Sequence, residues 1–342
     1  MHKTIHLFDR LPQVDARQAA ETELVRPPMR KEPLIGVIRN ARSHRNNKGV
    51  ASSDLPPGVI VATPEKRSEL PAILTDFAEK HLDCIAIDGG DGTVRDILTC
   101  GAGIFGDSWP DLIILPNGKT NALGLDLGLP PGWSLDEAIA AVKQGKTVRR
   151  RPMVIAQREN PAAQVRGFIM GAGVFNRAIA LGQRSHDLGA FNAAAVGVTA
   201  AWSVLQALFG RAGNPWRRGT YMKLRRADGT EIAHHGGLPA DERFLLFAST
   251  LQNFPAGLDP FRGMEAPLRM AVLDNPRRGL LLRIGALMRG NATEATMRRG
   301  AHLVGDETLE VDIAESFILD GEAFPSGHYC LSAGTPLRFV VP

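Results

Sequence analysis

The chain has 342 residues, 44% apolar and 22% charged, a balance that excludes a wholly disordered protein and leaves room for two domains. The formal net charge is only +4, from 31 Arg and 9 Lys against the acids, yet residues 211–299 hold 15 cations and 8 acids. That local excess points to an anionic partner, a membrane surface or a phosphorylated ligand, unless it reflects a coding bias towards Arg. Residues 1–32 are polar and charged, with Pro27-Pro28 near their end, and read as a flexible lead-in without the apolar core of a secretory signal. Strand patterns follow at Leu34–Ile38, Gly58–Ala62, Cys84–Asp88 and Leu112–Leu115, with helical patterns at Ser68–His81 and Thr93–Thr99 between them. This alternation predicts a mostly parallel sheet covered on both faces. Ser134–Lys143 reads as another helix, opened by a capping box of Ser134 and Glu137.

Beyond Arg151-Pro152 the texture changes. Short extended runs occur at Met153–Gln157, Gly167–Met170, Tyr221–Arg225, Phe244–Thr250, Leu268–Val272, Leu309–Ile313, Phe317–Leu319 and Leu337–Val341. Turn residues separate them, which predicts an antiparallel β domain with helical insertions near 175–210 and 276–289. Ala190–Gly210 lacks any charge but contains Asn192, Thr199, Ser203 and Gln206, so it reads as a buried or lipid-touching helix and not a span. Cys84, Cys100 and Cys330 lie far apart, which fits a reducing cytosol and gives no disulfide framework.

The strongest local signal is Asp88-Gly89-Gly90-Asp91-Gly92-Thr93, an apolar strand running through glycines into a helix. Glycine lets the backbone approach a ligand, and the N–H groups opening a helix attract phosphate oxygens. Asp91 in such a turn suits a magnesium-bound water or a proton from an attacking hydroxyl, although a tight strand–helix turn would also need the glycines. Gly118-Lys119-Thr120 resembles the end of a Walker A loop, but Ile113 stands where that loop needs Gly. Gly101–Gly106 spells GxGxxG after a helix instead of a strand and is expected to be a loop. Adjacent His234-His235 reads as a turn, because no third metal ligand is evident.

With these blocks in view, the chain resembles the diacylglycerol kinase-like lipid kinases, which include bacterial diacylglycerol, sphingosine and ceramide kinases. Four blocks carry the resemblance in order: Asn40-Ala41-Arg42-Ser43, Gly89–Thr93, Leu115–Leu123 with its Pro116-Asn117-Gly118-Lys119-Thr120-Asn121, and Asp320-Gly321-Glu322. Gly171–Phe175 matches a glycine-rich turn of the same family less closely. The departures are Ala41 for the usual Pro, His44 for Gly, Lys119 for a hydroxyl residue and Ala122 for Asp. No acidic magnesium-site segment of the bacterial type is recognisable in Phe254–Glu265.

The resemblance implies an α/β nucleotide-binding domain at 33–150, similar to NAD kinase and phosphofructokinase. It also implies an antiparallel β-sandwich lipid-substrate domain at 151–342, with a last strand that packs back on the first. ATP and Mg2+ would be the cofactors. Asn40, Ser43, Thr63, Gly89, Gly90, Asp91, Gly92, Thr93, Gly118, Lys119, Thr120 and Asn121 would bind the nucleotide, with the metal near Asp91. Asp91, Asp320 and Glu322 are the catalytic candidates, and the base is open among them; Asp320-Gly321 also reads as a plain hairpin turn. The acceptor would be a hydroxyl of diacylglycerol, ceramide or a sphingoid base, with Asn121-Ala122-Leu123 leaning to the sphingolipids.

The protein would then be cytoplasmic and peripheral on an anionic membrane surface. Arg211, Arg217 and Arg218 beside Trp216, and Arg277, Arg278, Arg283 and Arg289, are the candidate headgroup contacts. No nucleic-acid partner is expected, and homodimerisation is open. An NAD kinase-like soluble nucleotide kinase and a non-catalytic lipid-binding protein on the same fold are the competing readings.

Overall fold

The computed structural model describes residues 8–14, 30–43, 55–118, 120–178, 214–254 and 257–342. Ile35–Arg39 forms β1, with Val59–Ala62 (β2) and Cys84–Gly89 (β3) parallel to it on either side. Strand β3 is buried throughout, as an unbroken apolar run in a parallel sheet should be. Helix α1 (Leu70–Glu79) buries Leu70, Leu74 and Phe77, the stripe its spacing predicts. Helix α2 (Asp91–Phe105) starts directly behind β3 and leads to β4 (Asp111–Pro116). It runs past Thr99 through Gly101-Ala102-Gly103-Ile104-Phe105, where a loop was expected. Phe105 is buried with its ring centroid 4.8 Å from that of Trp109, and this packing outweighs the weak helix propensity of the glycines.

The short α3 (Ala122–Asp126) and α4 (Leu135–Lys143) follow, and the predicted capping box of Ser134 and Glu137 opens α4. β5 (Thr147–Arg150) was not read from the sequence, because its TVRR offers little apolar alternation.

The remainder is mostly strand. Chain order gives β6 (Met153–Gln157), β7 (Gln164–Gly167), β8 (Ile169–Gly173), β9 (Thr220–Arg226), β10 (Glu242–Arg243), β11 (Leu245–Ser249) and β12 (Leu268–Leu273). Three one-turn helices follow, α5 (Arg278–Leu281), α6 (Ile284–Leu287) and α7 (Glu294–Met297). Then come β13 (Ala301–Asp306), β14 (Thr308–Ile313), β15 (Phe317–Leu319), β16 (Glu322–Phe324), β17 (Gly327–Ala333) and β18 (Leu337–Val340). One antiparallel sheet has the order β10-β9-β14-β17-β6-β7, and another β13-β12-β11-β8-β15-β16. A single core takes side chains from both, with Tyr329 of β17 and Phe317 of β15 meeting edge to face at 5.1 Å.

Strand β18 leaves this half and inserts between β4 and β5, giving the first sheet the order β2-β1-β3-β4-β18-β5. Its Leu337, Phe339 and Val340 enter the first core, together with Phe168 and Leu251. Asp126 of α3 also binds across the halves. Its fully buried carboxylate accepts from Arg150 Nε at 2.6 Å and from the N–H groups of Gln252 and Asn253 at 2.9 and 2.6 Å. The two halves are therefore joined by backbone pairing, shared core and buried polar bonds.

Three sequence expectations need correction. The lead-in is docked over residues 8–14: Leu11 and Val14 are buried, and Phe8 N–H donates to Ala323 O at 3.0 Å. Gly167–Met170 is not one strand, since the chain breaks at Phe168. Gly171-Ala172-Gly173 lie in strand β8 instead of a turn, and residues 174–178 are helical. Ala190–Gly210 and Arg211 lie outside the described residues. No helix among the described residues is long and apolar enough to cross a membrane.

Candidate active site

At the C-terminal end of β3 the chain turns through Gly89 and Gly90 into α2. The end of β4 delivers Asn117 and Gly118 beside it. A Cβ on Gly118 would lie 2.4 Å from the Gly90 Cα, so these loops touch backbone to backbone and both positions require glycine. Asn121 holds the second loop in shape: its Oδ1 accepts from Gly118 N–H at 2.8 Å, and its Nδ2 donates to Gly118 O and Pro116 O. Ser43 Oγ donates to Asn117 O at 2.6 Å, and Asn40 Nδ2 donates to Thr93 Oγ1 at 2.9 Å. Asn121 and Ser43 thus brace loops, whereas Asn40 and Thr93 face a cavity.

Asp91 reaches across to the first turn of α3, where its oxygens accept from Ala122 N–H at 3.0 Å and Leu123 N–H at 3.3 Å. Burial raises the affinity of this carboxyl for its proton above the usual range, against the pull of those bonds.

The second carboxylate arrives from the other half. Leu319 pairs with Glu322, so Asp320 and Gly321 form a two-residue turn with φ of 46° and 85°. The hairpin alternative is thus realised, and the same turn presents Asp320. The Asp320 carboxylate accepts from Phe168 N–H at 3.0 Å and Ile169 N–H at 2.9 Å, the bonds that break β7 from β8. Gly167 makes room for it, since a Cβ there would stand 2.3 Å from Asp320 Oδ2. Burial first, and then the charge of Asp91, push the Asp320 carboxyl up to about 7; the two N–H bonds and Arg95 oppose this only in part.

A cavity of about 400 Å³ is lined among others by Asn40, Arg42, Thr93, Arg95 and Glu322; Thr93 and Glu322 each stand two residues beyond Asp91 and Asp320, which do not themselves line it. Arg95 is almost fully buried. One turn after Asp91 on α2, its Nη1 donates to Leu319 O at 3.3 Å and its Nη2 lies 3.9 Å from Glu322 Oε1. Phe8 forms another wall, stacked on Phe324 at 4.8 Å and covered by the Arg67 guanidinium at 4.8 Å from its centroid. Sequence reasoning missed Arg95, Arg67 and Phe8. Arg95 had a signal, the i+4 spacing from Asp91; Phe8 had none, because its contacts are all long-range.

Of the other expected residues, Gly92 occupies the first turn of α2, and Thr120 and Thr63 are exposed. Thr63 does not line the cavity, which begins at its neighbour Pro64. Lys119 lies outside the described residues. The expectation for His235 changes, because the fold brings Asp274 and His302 to it.

The donor set fits a magnesium nucleotide. Asp91 offers a carboxylate oxygen, the donor type this ion takes, beside a second carboxyl that raises the local demand for a cation. Arg42, Lys66 and Arg67 around the cavity suit phosphate, whereas Arg95 is already paired there with Asp96 Oδ1 at 2.9 Å.

Residues 41–154 match the family profile of the diacylglycerol kinase catalytic domain. Crystal structures of a protein assigned as a diacylglycerol kinase from Bacillus anthracis str. Sterne share the fold. One has a TM-score of 0.61 at 15% identity, covering 90% of this chain and 96% of that one. Two others give TM-scores of 0.60 and 0.58 at 15% and 14% identity, covering 90% of this chain and 97% and 96% of theirs. No curated protein matches the chain.

Proposed function

We propose, from the match of residues 41–154 to the diacylglycerol kinase catalytic domain, that the protein transfers the γ-phosphoryl group of ATP to a hydroxyl of a membrane lipid. The observation that carries this reading is one cavity shared by Asn40 and Thr93 from the GGDGT side and by Glu322 from the DGE hairpin, with Arg95 in its wall. Phosphoryl transfer needs a donor cradle, neutralised phosphates and a positioned acceptor, and these residues divide into those roles.

Asn40, Thr93 and the Gly90–Gly118 crossing would hold the nucleotide, and the N–H groups opening α2 would supply donors for phosphate. Magnesium, held by Asp91, would neutralise phosphate charge. Arg95 fixes the DGE hairpin through Leu319 O. Asp320 is the base: a carboxyl that titrates near 7 can take the proton of the attacking hydroxyl at working pH. The lipid oxygen then bonds to phosphorus as the bond to the ADP oxygen breaks.

A basic, partly apolar edge on the second half supports a lipid acceptor. Arg277, Arg278, Arg283 and Arg289 are exposed around Leu282, which is 74% exposed, while Leu280 and Leu281 anchor the segment in a small core. Such an edge would dock on anionic lipid from the cytoplasmic side.

The test is incubation with labelled ATP and magnesium, with diacylglycerol, ceramide and sphingosine presented in separate mixed micelles and NAD in solution. Label in one of the lipids supports the reading. Label in NAD alone overturns it, and label in no product favours a binding protein on the same fold.

A further inference from the structure

Asp274 directly follows β12 and is completely buried. Arg243, also buried, ion-pairs with Oδ1 of this carboxylate. Oδ2 is turned the other way. It accepts from the backbone N–H of His235 at 2.8 Å and lies 2.6 Å from His302 Nε2. His302 stands on β13, opposite Val272 in the antiparallel pairing with β12. His235 comes from the long connection between β9 and β10, and its Nδ1 is 3.4 Å from His302 Nε2 and 3.9 Å from Asp274 Oδ2. Three potential ligand atoms from segments distant in sequence therefore converge on one point.

We propose that His235, Asp274 and His302 form a site for a zinc-class divalent ion that ties the β9–β10 connection to β12 and β13. The separations of 2.6, 3.4 and 3.9 Å bracket the roughly 3.3 Å expected between tetrahedral ligands about 2.0–2.1 Å from such an ion. Two imidazoles and a carboxylate suit zinc, whereas magnesium prefers oxygen donors alone. His302 closes the site from the interior with only 11% of its side chain exposed; the His235 side chain is 40% exposed and leaves the remaining position open to water.

The surroundings hold the ligands in place before any ion arrives. Arg243 and the His235 N–H orient the carboxylate, the supporting role that outer groups play around metal ligands. Asn275 Nδ2 donates to Gly236 O at 2.6 Å and to Arg299 O at 3.2 Å, clamping the two loops together. Arg277 Nη2 donates to His235 O at 3.4 Å. His234 is already committed: its Nδ1 accepts from Gly236 N–H, so its Nε2–H donates to Glu242 O. That division leaves His235 alone of the pair to bind the ion. The site does not depend on the kinase reading, because none of its residues lines the nucleotide cavity.

Titration of the full chain with zinc chloride in a calorimeter should show one site. His235→Ala and His302→Gln should each weaken it by roughly tenfold or more, the loss that removal of even a supporting group brings. Cobalt in place of zinc should give the visible bands of tetrahedral nitrogen and oxygen ligation without a thiolate charge-transfer band. Zinc should also raise the thermal midpoint of the parent but not of His235→Ala. Absence of binding, equal binding in both variants, or a thiolate band would overturn the site. If His302→Gln fails to fold, the exposed His235→Ala decides alone.

Discussion

Asp91 and Asp320 come from opposite halves of the molecule, yet each is held in the same way, by two consecutive backbone N–H groups. Asp91 accepts from Ala122 and Leu123, Asp320 from Phe168 and Ile169. The surroundings differ. Asp91 lies in the first turn of α2 and points at the first turn of α3, whose N–H groups oppose, but do not overcome, the upward push of burial on its carboxyl. Asp320 sits in a left-handed turn against a broken strand edge, and burial with the Asp91 charge lifts it to about 7. Burial thus raises both carboxyls, and Asp320 has the Asp91 charge as an added cause; in the function proposed above, Asp91 serves the cation and Asp320 the proton.

Asp320→Asn is the sharpest way to break this division. Removal of a general base costs roughly 10²–10⁴-fold in kcat, and the KM for MgATP should stay near the parent value. Asp91→Asn should lower kcat and also raise the KM for MgATP and the magnesium requirement. Steady-state kinetics at varied ATP and magnesium compare the two. Identical profiles would show that both carboxyls serve the donor.

Gly167→Ala probes the Asp320 side without touching a carboxyl. Its Cβ would sit 2.3 Å from Asp320 Oδ2 and 2.8 Å from Leu319 Cγ, so the hairpin must move. A displacement near 1 Å costs about 10²-fold in rate, and overpacking costs about 1–3 kcal/mol in stability. Gly118→Ala should instead separate the nucleotide loops and weaken ATP binding. If each variant gave the other's phenotype, the assignment of the two halves would be reversed.

The two halves were also unequally legible in the sequence. The half that carries GGDGT is a chain of short-range signals. Apolar runs marked the four parallel strands, Ser134 and Glu137 marked a capping box, and the glycines of GGDGT marked the place where two backbones touch. Asp320 was visible through its Asp-Gly turn, but its partners were not, since Phe168 and Ile169 donate to it from some 150 residues away. Separation in sequence also hid Phe8, whose segment reads as polar and loose until β16, more than 300 residues on, and Arg67 give it partners. Strand β17 was missed although His328, Cys330 and Ser332 alternate with the inward Tyr329, Leu331 and Ala333, because the small Ala333 and the flanking glycines leave only Tyr329 and Leu331 as large apolar residues. Local chemistry could be read from local sequence; burial assembled by antiparallel register could not.

Arg95 links the two carboxyl environments, and its removal gives a smaller effect than loss of either acid. Its charge pulls the Asp320 carboxyl downward, so without it the carboxyl titrates higher. In Arg95→Met the acid limb of the rate profile should move to higher pH, with a loss of roughly tenfold at neutrality. Arg95→Lys should restore the position of the limb but not the full rate, because Lys lacks the second donor that reaches Leu319 O. A parallel loss with no movement of the limb would make Arg95 a packing residue only.

The smallest expected effect concerns stability. A carboxyl whose folded pKa lies above its unfolded value binds more protons in the native state, so its contribution is fully present below about pH 4 and is lost as pH rises through about 7. Between pH 6 and 8, Asp320 alone should cost the protein about 1 kcal/mol of unfolding free energy in metal-free buffer. Denaturant unfolding at the two pH values measures this slope, and Asp320→Asn should remove it. Asp91→Asn should also flatten the slope, because its charge is the second cause of the Asp320 shift and because burial raises its own carboxyl as well. A slope that survives Asp320→Asn would place the titrating group elsewhere. A slope abolished by Asp320→Asn but untouched by Asp91→Asn would attribute the raised carboxyl to burial alone, and the coupling between the two halves would then lie in geometry instead of charge.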